Sequence, residues 1–262
     1  MKKRREVAPR WRTWFHRGMP WDFWLIFLVL GVLLPWRGHA RLKKMFAIPQ
    51  VGKRERLALY GSTIAFQWFA VALVAWRAWA GGLTAEELGL VVHGRNRIFF
   101  AAIVGAATLG ALQWLNLRRM GRSTGKARSF MQRLAERILP HSRAELLPYL
   151  ALAATAGLCE EFLYRGFAMA ALTRAGLPVW SVVLLSSVLF SLAHLYQGPG
   201  GLLSTLVIGT VFGTARIAYD GLAVVAVWHT AVDAVAGVAG PRYLLQPGAQ
   251  PELEEIHSPT GL

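Results

Sequence analysis

The sequence predicts an all-α protein, a polytopic membrane helical bundle of about seven to eight helices at membrane depth, read as a single membrane domain over residues 1–262. Three observations predict it. Of the 262 residues, 55% are hydrophobic and only 16% charged, with a mean hydropathy of +0.38, whereas soluble globular chains are nearer a quarter charged. Several uncharged runs approach the roughly 20 residues that cross a bilayer. The roughly 10-residue alternating segments of a transmembrane β-barrel are not seen.

The elements follow in order. Residues 1–22 form a basic N-terminal segment that resembles the charged part of a signal peptide. No small-residue cleavage site clearly follows the first apolar run, so the segment is expected to be retained. That run, Phe23 to Trp36, holds 14 residues without a charge, a length that suits a re-entrant helix as well as a span. Trp21 and Trp36 flank it as interface anchors, and a basic loop is expected from Arg37 to Leu57. Apolar runs follow from Ala58 to Ala80 and from Ile98 to Leu117. Between them lies GGLTAEELGLVVHGRNR, in which Thr84 and Glu87 have capping-box spacing.

Residues 118–144 read as a basic polar loop. Phe130, Leu134 and Ile138 share one helical face, so the piece from Ala127 to Leu139 is expected as a helix on the membrane surface. Four further runs extend from near Glu145 to Leu172, from Pro178 to Tyr196, from Gly201 to Tyr219 and from Leu222 to Ala239. Gly198, Pro199, Gly200 and Gly221 mark tight connections. The tail, residues 240–262, is polar and proline-rich and is expected to be flexible.

The net charge is +15. The Lys and Arg residues lie between apolar runs, the pattern of cytoplasmic loops, and no nucleic-acid-binding motif accompanies them. The basic balance therefore points to anionic lipid heads and not to nucleic acid. If the first run re-enters, all three basic segments are cytoplasmic and so are both termini. Cys159 is the only cysteine, which rules out an intrachain disulfide.

The chemistry is concentrated in three short stretches. Among 14 acidic residues, only Glu160, Glu161 and Asp233 sit well within apolar runs. Of 7 histidines, only His194 and His229 do; the loop ionisables are expected to be solvated. Ionisable groups in membrane helices are costly and usually functional. In CEEFLYRGF, Glu161 and Arg165 are four apart and share a helical face. Glu160 is turned about 100° away and is left to act. Glue between helices is the rival reading of all three. A lone histidine in an apolar helix is more often a hydrogen-bonded core residue, but two of them with a Glu and an Asp can activate water or bind a metal. The H-E-x-x-H zinc signature is absent. Cys159 reads as an inert buried thiol. Gly209 and Gly213 read as close helix packing, and Arg216 with Asp220 as an interfacial pair.

The motifs EExxxR (Glu160, Glu161, Arg165), FxxxH (Phe190, His194) and HxxxD (His229, Asp233) occur in this order on consecutive helices. Together they resemble the CAAX protease and bacteriocin-processing family, the Abi-type intramembrane endopeptidases that include the type II CAAX prenyl endopeptidases. The resemblance is strongest over residues 145–239, the expected catalytic core. It implies an intramembrane endopeptidase in which Glu160, aided by His194, activates water. His229 and Asp233 would stabilise the oxyanion, while Glu161, Arg165 and Phe190 support the site. The family has been described both as metal-dependent and as glutamate-type. A divalent metal such as zinc would draw on Glu160, His194, His229 and Asp233, which would make the protein a metalloprotease.

Where the family usually has Asn, this chain has Asp233. An ionised Asp cannot donate to an oxyanion, so Asp233 is protonated, orients His229, or ligates a metal. The implied partners are membrane lipid and a membrane protein or peptide substrate. The implied location is the cell membrane, multi-pass, in a bacterium the inner membrane. The rivals are a non-catalytic partner-binding membrane protein, such as an immunity or assembly factor on the same fold, and a transporter or proton relay.

Overall fold

In the computed structural model, residues 19–245 are described. The expectations placed on residues 1–18 and 246–262 lie outside them. The described residues form eight helices and no strand. These are α1 Trp21–Ala47, α2 Lys53–Ala80, α3 Arg95–Arg122, α4 Lys126–Ile138, α5 Arg143–Arg174, α6 Val179–Ala193, α7 Gly198–Ala218 and α8 Ala223–Leu244. Six of them (α1, α2, α3, α5, α7 with its preceding turn, and α8) are long and apolar enough to cross a membrane, by length and composition. The fold is the all-helical bundle the sequence predicts.

Several elements differ from expectation. The first run is part of a 27-residue helix, and the basic loop is absent. Arg37 to Ala47 complete α1 and Lys53 opens α2, so only residues 48–52 connect them. Lys and Arg are good helix formers, and at helix ends their charges can reach the headgroup level. The run from Pro178 yields only 15 helical residues, because α6 ends at Ala193. Thr84 and Glu87 do form the reciprocal capping bonds, Thr84 N to Glu87 Oε2 at 2.7 Å and Glu87 N to Thr84 Oγ1 at 3.2 Å. They close a turn, however, and open no helix.

Two helices contain a wide π turn, at Val29–Leu33 in α1 and at Phe162–Ala168 in α5. The first lies just before Pro35, which has no N–H to give the preceding turn.

The chain divides into two compact units. The first comprises the described parts of Met1–Ala40, Val71–His93 and Glu160–Leu222. Here Phe23 packs edge-on against Phe167 at 5.0 Å between ring centroids, and Asp22 pairs with Arg77. Arg174 clamps the Gly81–Leu90 turn: it donates to the carbonyls of Gly81 and Gly82 and to the Glu87 carboxylate. Arg216 donates to the Glu87 carbonyl at 3.1 Å, and the Leu222 amide to the Gly89 carbonyl at 2.9 Å.

The second unit comprises the described parts of Arg41–Ala70, Gly94–Cys159 and Ala223–Leu262. Its core gathers Tyr60, Leu117, Ala135, Leu139, Tyr149 and Leu244. The expected surface helix is α4, which buries Leu134 and Ala135. A buried ion pair joins the starts of α2 and α5: Arg56 Nε to Glu145 Oε2 at 2.7 Å and Nη2 to Oε1 at 3.0 Å. The expectation that loop ionisables are solvated is therefore wrong for Arg56, which the basic loop was expected to hold and which is buried with Glu145. The fork of a guanidinium satisfies both carboxylate oxygens, which is what makes their burial tolerable. His141 donates its backbone N–H to Glu145 at 3.0 Å. Burial, and then the nearby Arg56 cation, hold its imidazole below the ordinary histidine value.

Candidate active site

The candidate residues fall within the two units as two pairs. The first begins on α5, whose α-helical turns end at Glu161, where the π turn begins. Single π turns are frequent at functional sites. Glu161 and Arg165 are both fully buried and meet as expected, Arg165 Nη1 donating to Glu161 Oε1 at 3.0 Å. Arg165 Nη2 donates to the Gly209 carbonyl on α7 at 3.1 Å. Its guanidinium also lies 4.2 Å over the Phe190 ring, a favourable cation–π placement.

Gly209 makes this approach possible. A Cβ there would stand 3.3 Å from Arg165 Nη2 and 3.2 Å from Ser187 Cβ. With Gly213, which faces Val183, it is where α7 closes on α6, the close packing that the GxxxG spacing predicts.

Glu160 points away from that pair. Its Oε2 lies 3.8 Å from His194 Nε2, with 18% of the glutamate side chain and 14% of the histidine side chain exposed. His194 follows the last residue of α6. Its amide turns back to the Ser191 carbonyl at 2.9 Å, and its ring Nδ1 meets the Phe190 carbonyl at 2.8 Å. A carbonyl only accepts, so Nδ1 must carry the hydrogen. In the neutral ring the lone pair is then on Nε2, the atom that faces Glu160. At 3.8 Å the two groups are beyond direct hydrogen-bond range, a separation that one water can bridge. Phe190 thus holds His194 twice, by its carbonyl and by its ring, whose centroid is 4.6 Å from the imidazole.

The second pair lies on α8. His229 is buried, and its Nε2 is 3.6 Å from Asp233 Oδ2, whose side chain is 36% exposed. Gly157 of α5 is pressed against this helix: a Cβ there would run into Thr230 Oγ1 and the Ala226 carbonyl.

Among the described residues no group of three or more His, Cys, Asp or Glu is placed to hold a metal ion. Each unit gathers a pair, so the residues do not fit a three-ligand metal centre within either unit.

Sequence reasoning missed several contributors. Gly166 lets α5 approach the Leu88 carbonyl, 3.1 Å from where its Cβ would be; its place inside CEEFLYRGF was the available signal. The Tyr164 carbonyl accepts from Ser186 Oγ at 2.8 Å, and its ring meets Phe190 edge-on at 5.5 Å. Tyr196 has its ring 5.9 Å from His194 and accepts from Gln197 Nε2 at 3.3 Å.

The buried Glu161–Arg165 pair, the Glu160–His194 approach and the Phe190 contacts with His194 all involve residues of the EExxxR and FxxxH motifs. Residues 142–235 match the type II CAAX prenyl endopeptidase Rce1-like family model. The matched stretch covers roughly a third of the chain and contains every candidate residue. It bears out the resemblance read from the motifs. With six span-length apolar helices, the chain is a multi-pass membrane protein, and its residues 142–235 are similar to the type II CAAX prenyl endopeptidase Rce1-like family. The searches of curated proteins and of solved structures gave no match.

Proposed function

We propose that this protein is an intramembrane endopeptidase in which Glu160 and His194 activate the water that cleaves a peptide bond. The observation that carries this reading is the 3.8 Å approach of Glu160 Oε2 to His194 Nε2, with the opposite ring nitrogen committed to the Phe190 carbonyl. A water between them donates one hydrogen to each acceptor. Glu160 takes one proton as the oxygen attacks the scissile carbonyl. When the C–N bond breaks, that proton passes to the leaving amine, giving one carboxylate and one amine terminus. The Glu161–Arg165 pair acts separately, holding α5 against α7 so that Glu160 is presented from a fixed helix.

His229 and Asp233 are assigned the second catalytic pair. Their 3.6 Å separation on one helix supports an orienting role for Asp233, whose carboxylate faces the imidazole. The proposed compartment is the cell membrane, and in a bacterium the inner membrane, since the spans are helical.

The test is to reconstitute the purified protein and challenge it with membrane-embedded peptides, including prenylated C-terminal ones. Cleavage by the native protein and none by Glu160→Gln supports the reading. Equal cleavage by both overturns the Glu160 role. Absence of cleavage throughout, with an unchanged phenotype for the variant, favours the partner-binding alternative.

A further inference from the structure

The second unit has a strongly charged end that the proposed chemistry does not use. The start of α2, the end of α3, α4, the start of α5 and the end of α8 converge there, through the core of Tyr60, Leu117, Leu139, Tyr149 and Leu244. The end of α1 joins them: Phe46 packs edge-on against Phe130 of α4 at 6.1 Å, and Arg137 donates to the Ile48 carbonyl at 3.0 Å. Eleven Lys and Arg residues are exposed on these segments, among them Lys44, Arg54, Arg119, Arg122, Lys126 and Arg133. The exposed carboxylate among the described residues of the same segments is Glu55; Glu145 is buried under Arg56.

We infer that this end of the second unit is a docking surface for the headgroups of anionic phospholipids. Charge alone would suit any polyanion. Lipid is favoured by what lies next to the charge: on α3 the exposed cations Arg118 and Arg119 come within two turns after exposed Leu112, Trp114 and Leu115, with the Arg118 guanidinium 5.6 Å from the Trp114 ring. A bare apolar band, then an aromatic, then a ring of cations is the order of layers from acyl chain to headgroup. α4 contributes in the same sense, burying Leu134 while exposing Lys126 and Arg133.

The experiment measures the thermal-unfolding midpoint of the full chain in phosphatidylcholine vesicles with and without phosphatidylglycerol. The native protein is expected to be stabilised by phosphatidylglycerol, and high salt to remove the effect. The triple variant Arg119→Gln, Arg122→Gln, Lys126→Gln should keep its midpoint in pure phosphatidylcholine. Its affinity for phosphatidylglycerol should fall about a hundred-fold, since each of the three surface cations contributes about a five-fold factor. The variant Arg95→Gln, Arg97→Gln, at the start of α3, should respond as the native protein does. An undiminished lipid effect in the triple variant overturns the inference. So does an equal loss in the Arg95 and Arg97 variant, or an equal stabilisation by inorganic phosphate, which would mark a free-anion site.

Discussion

The ring Nδ1–H of His194 donates to the main-chain carbonyl of Phe190, four residues earlier, over 2.8 Å. The bond uses a carbonyl that no side-chain substitution removes, so the imidazole keeps its tautomer even where its neighbours change. Glu160 then faces an acceptor nitrogen, and the proton must come from a third molecule. Replacing Glu160 by Gln is expected to lower cleavage by about 10²–10⁴-fold, the usual worth of a positioned general base. The unfolding midpoint should change little, because the direct bond to Arg165 is made by Glu161. Rates and melting curves measured on the same preparation check both halves.

The Glu161–Arg165 pair is a stability element. Arg165→Met alone leaves a carboxylate with no exposure and is expected to cost about 3–5 kcal/mol. The double variant Glu161→Gln, Arg165→Met should recover part of that loss. Denaturant titration in detergent of the two single variants and the double completes the cycle; additive losses would show that the pair is not coupled.

Gly209→Ala tests how tightly α6 and α7 close. The added methyl would sit 3.2–3.3 Å from Ser187, Arg165 and Phe190. Overpacking of this kind costs about 1–3 kcal/mol, against a gain of about 0.5–1 kcal/mol from helix propensity. A net loss of stability is expected, together with slower cleavage as Arg165 shifts. A variant more stable than the native protein would show that the contact relaxes freely.

His141 gives the pH dependence. Its imidazole is held below the ordinary value of 6.5, first by burial and then by the Arg56 cation, against the opposing pull of Glu145 and Glu136. The unfolded chain therefore takes up a proton that the folded chain refuses. The contribution is full above roughly pH 6.5 and is lost as pH falls through that value, levelling once the folded histidine also protonates. Melting curves from about pH 8 to pH 5 should show this fall, and His141→Gln should flatten it.

Metal dependence is tested directly. Since among the described residues neither unit gathers three ligands, cleavage is expected to persist in a chelator, and the purified protein to carry no stoichiometric zinc. Loss of activity on chelation, restored by zinc, would overturn this expectation.

Much of the fold was legible because its signals are local. Uncharged runs between Lys and Arg clusters gave seven of the eight helices, and the spacing of Phe130, Leu134 and Ile138 gave α4. The EExxxR spacing gave the Glu161–Arg165 pair, since four residues bring groups onto one face of a helix; the FxxxH spacing put Phe190 and His194 on one face but did not foretell the carbonyl bond that holds the imidazole. What escaped depends on partners distant in sequence. Arg56 and Glu145, 89 residues apart, each looked like a helix-end charge for solvent, and only their pairing makes them core residues. The close approaches at Gly157, to Thr230 and the Ala226 carbonyl, and at Gly166, to the Leu88 carbonyl, likewise depend on segments distant in sequence.

The π turn at Phe162–Ala168 has a consequence for everything downstream of it. Each such turn holds one residue more than an α turn, and each residue of an α-helix is worth about 100° of rotation. The end of α5 is therefore out of phase with its beginning by about that angle. Arg174 reaches the Gly81 and Gly82 carbonyls and Glu87 only with that offset in place. Deleting a single residue from 162–168 would leave composition and hydropathy nearly untouched, yet it would swing Arg174 off the turn it clamps. In this helix, phase is as much a part of the inherited information as charge.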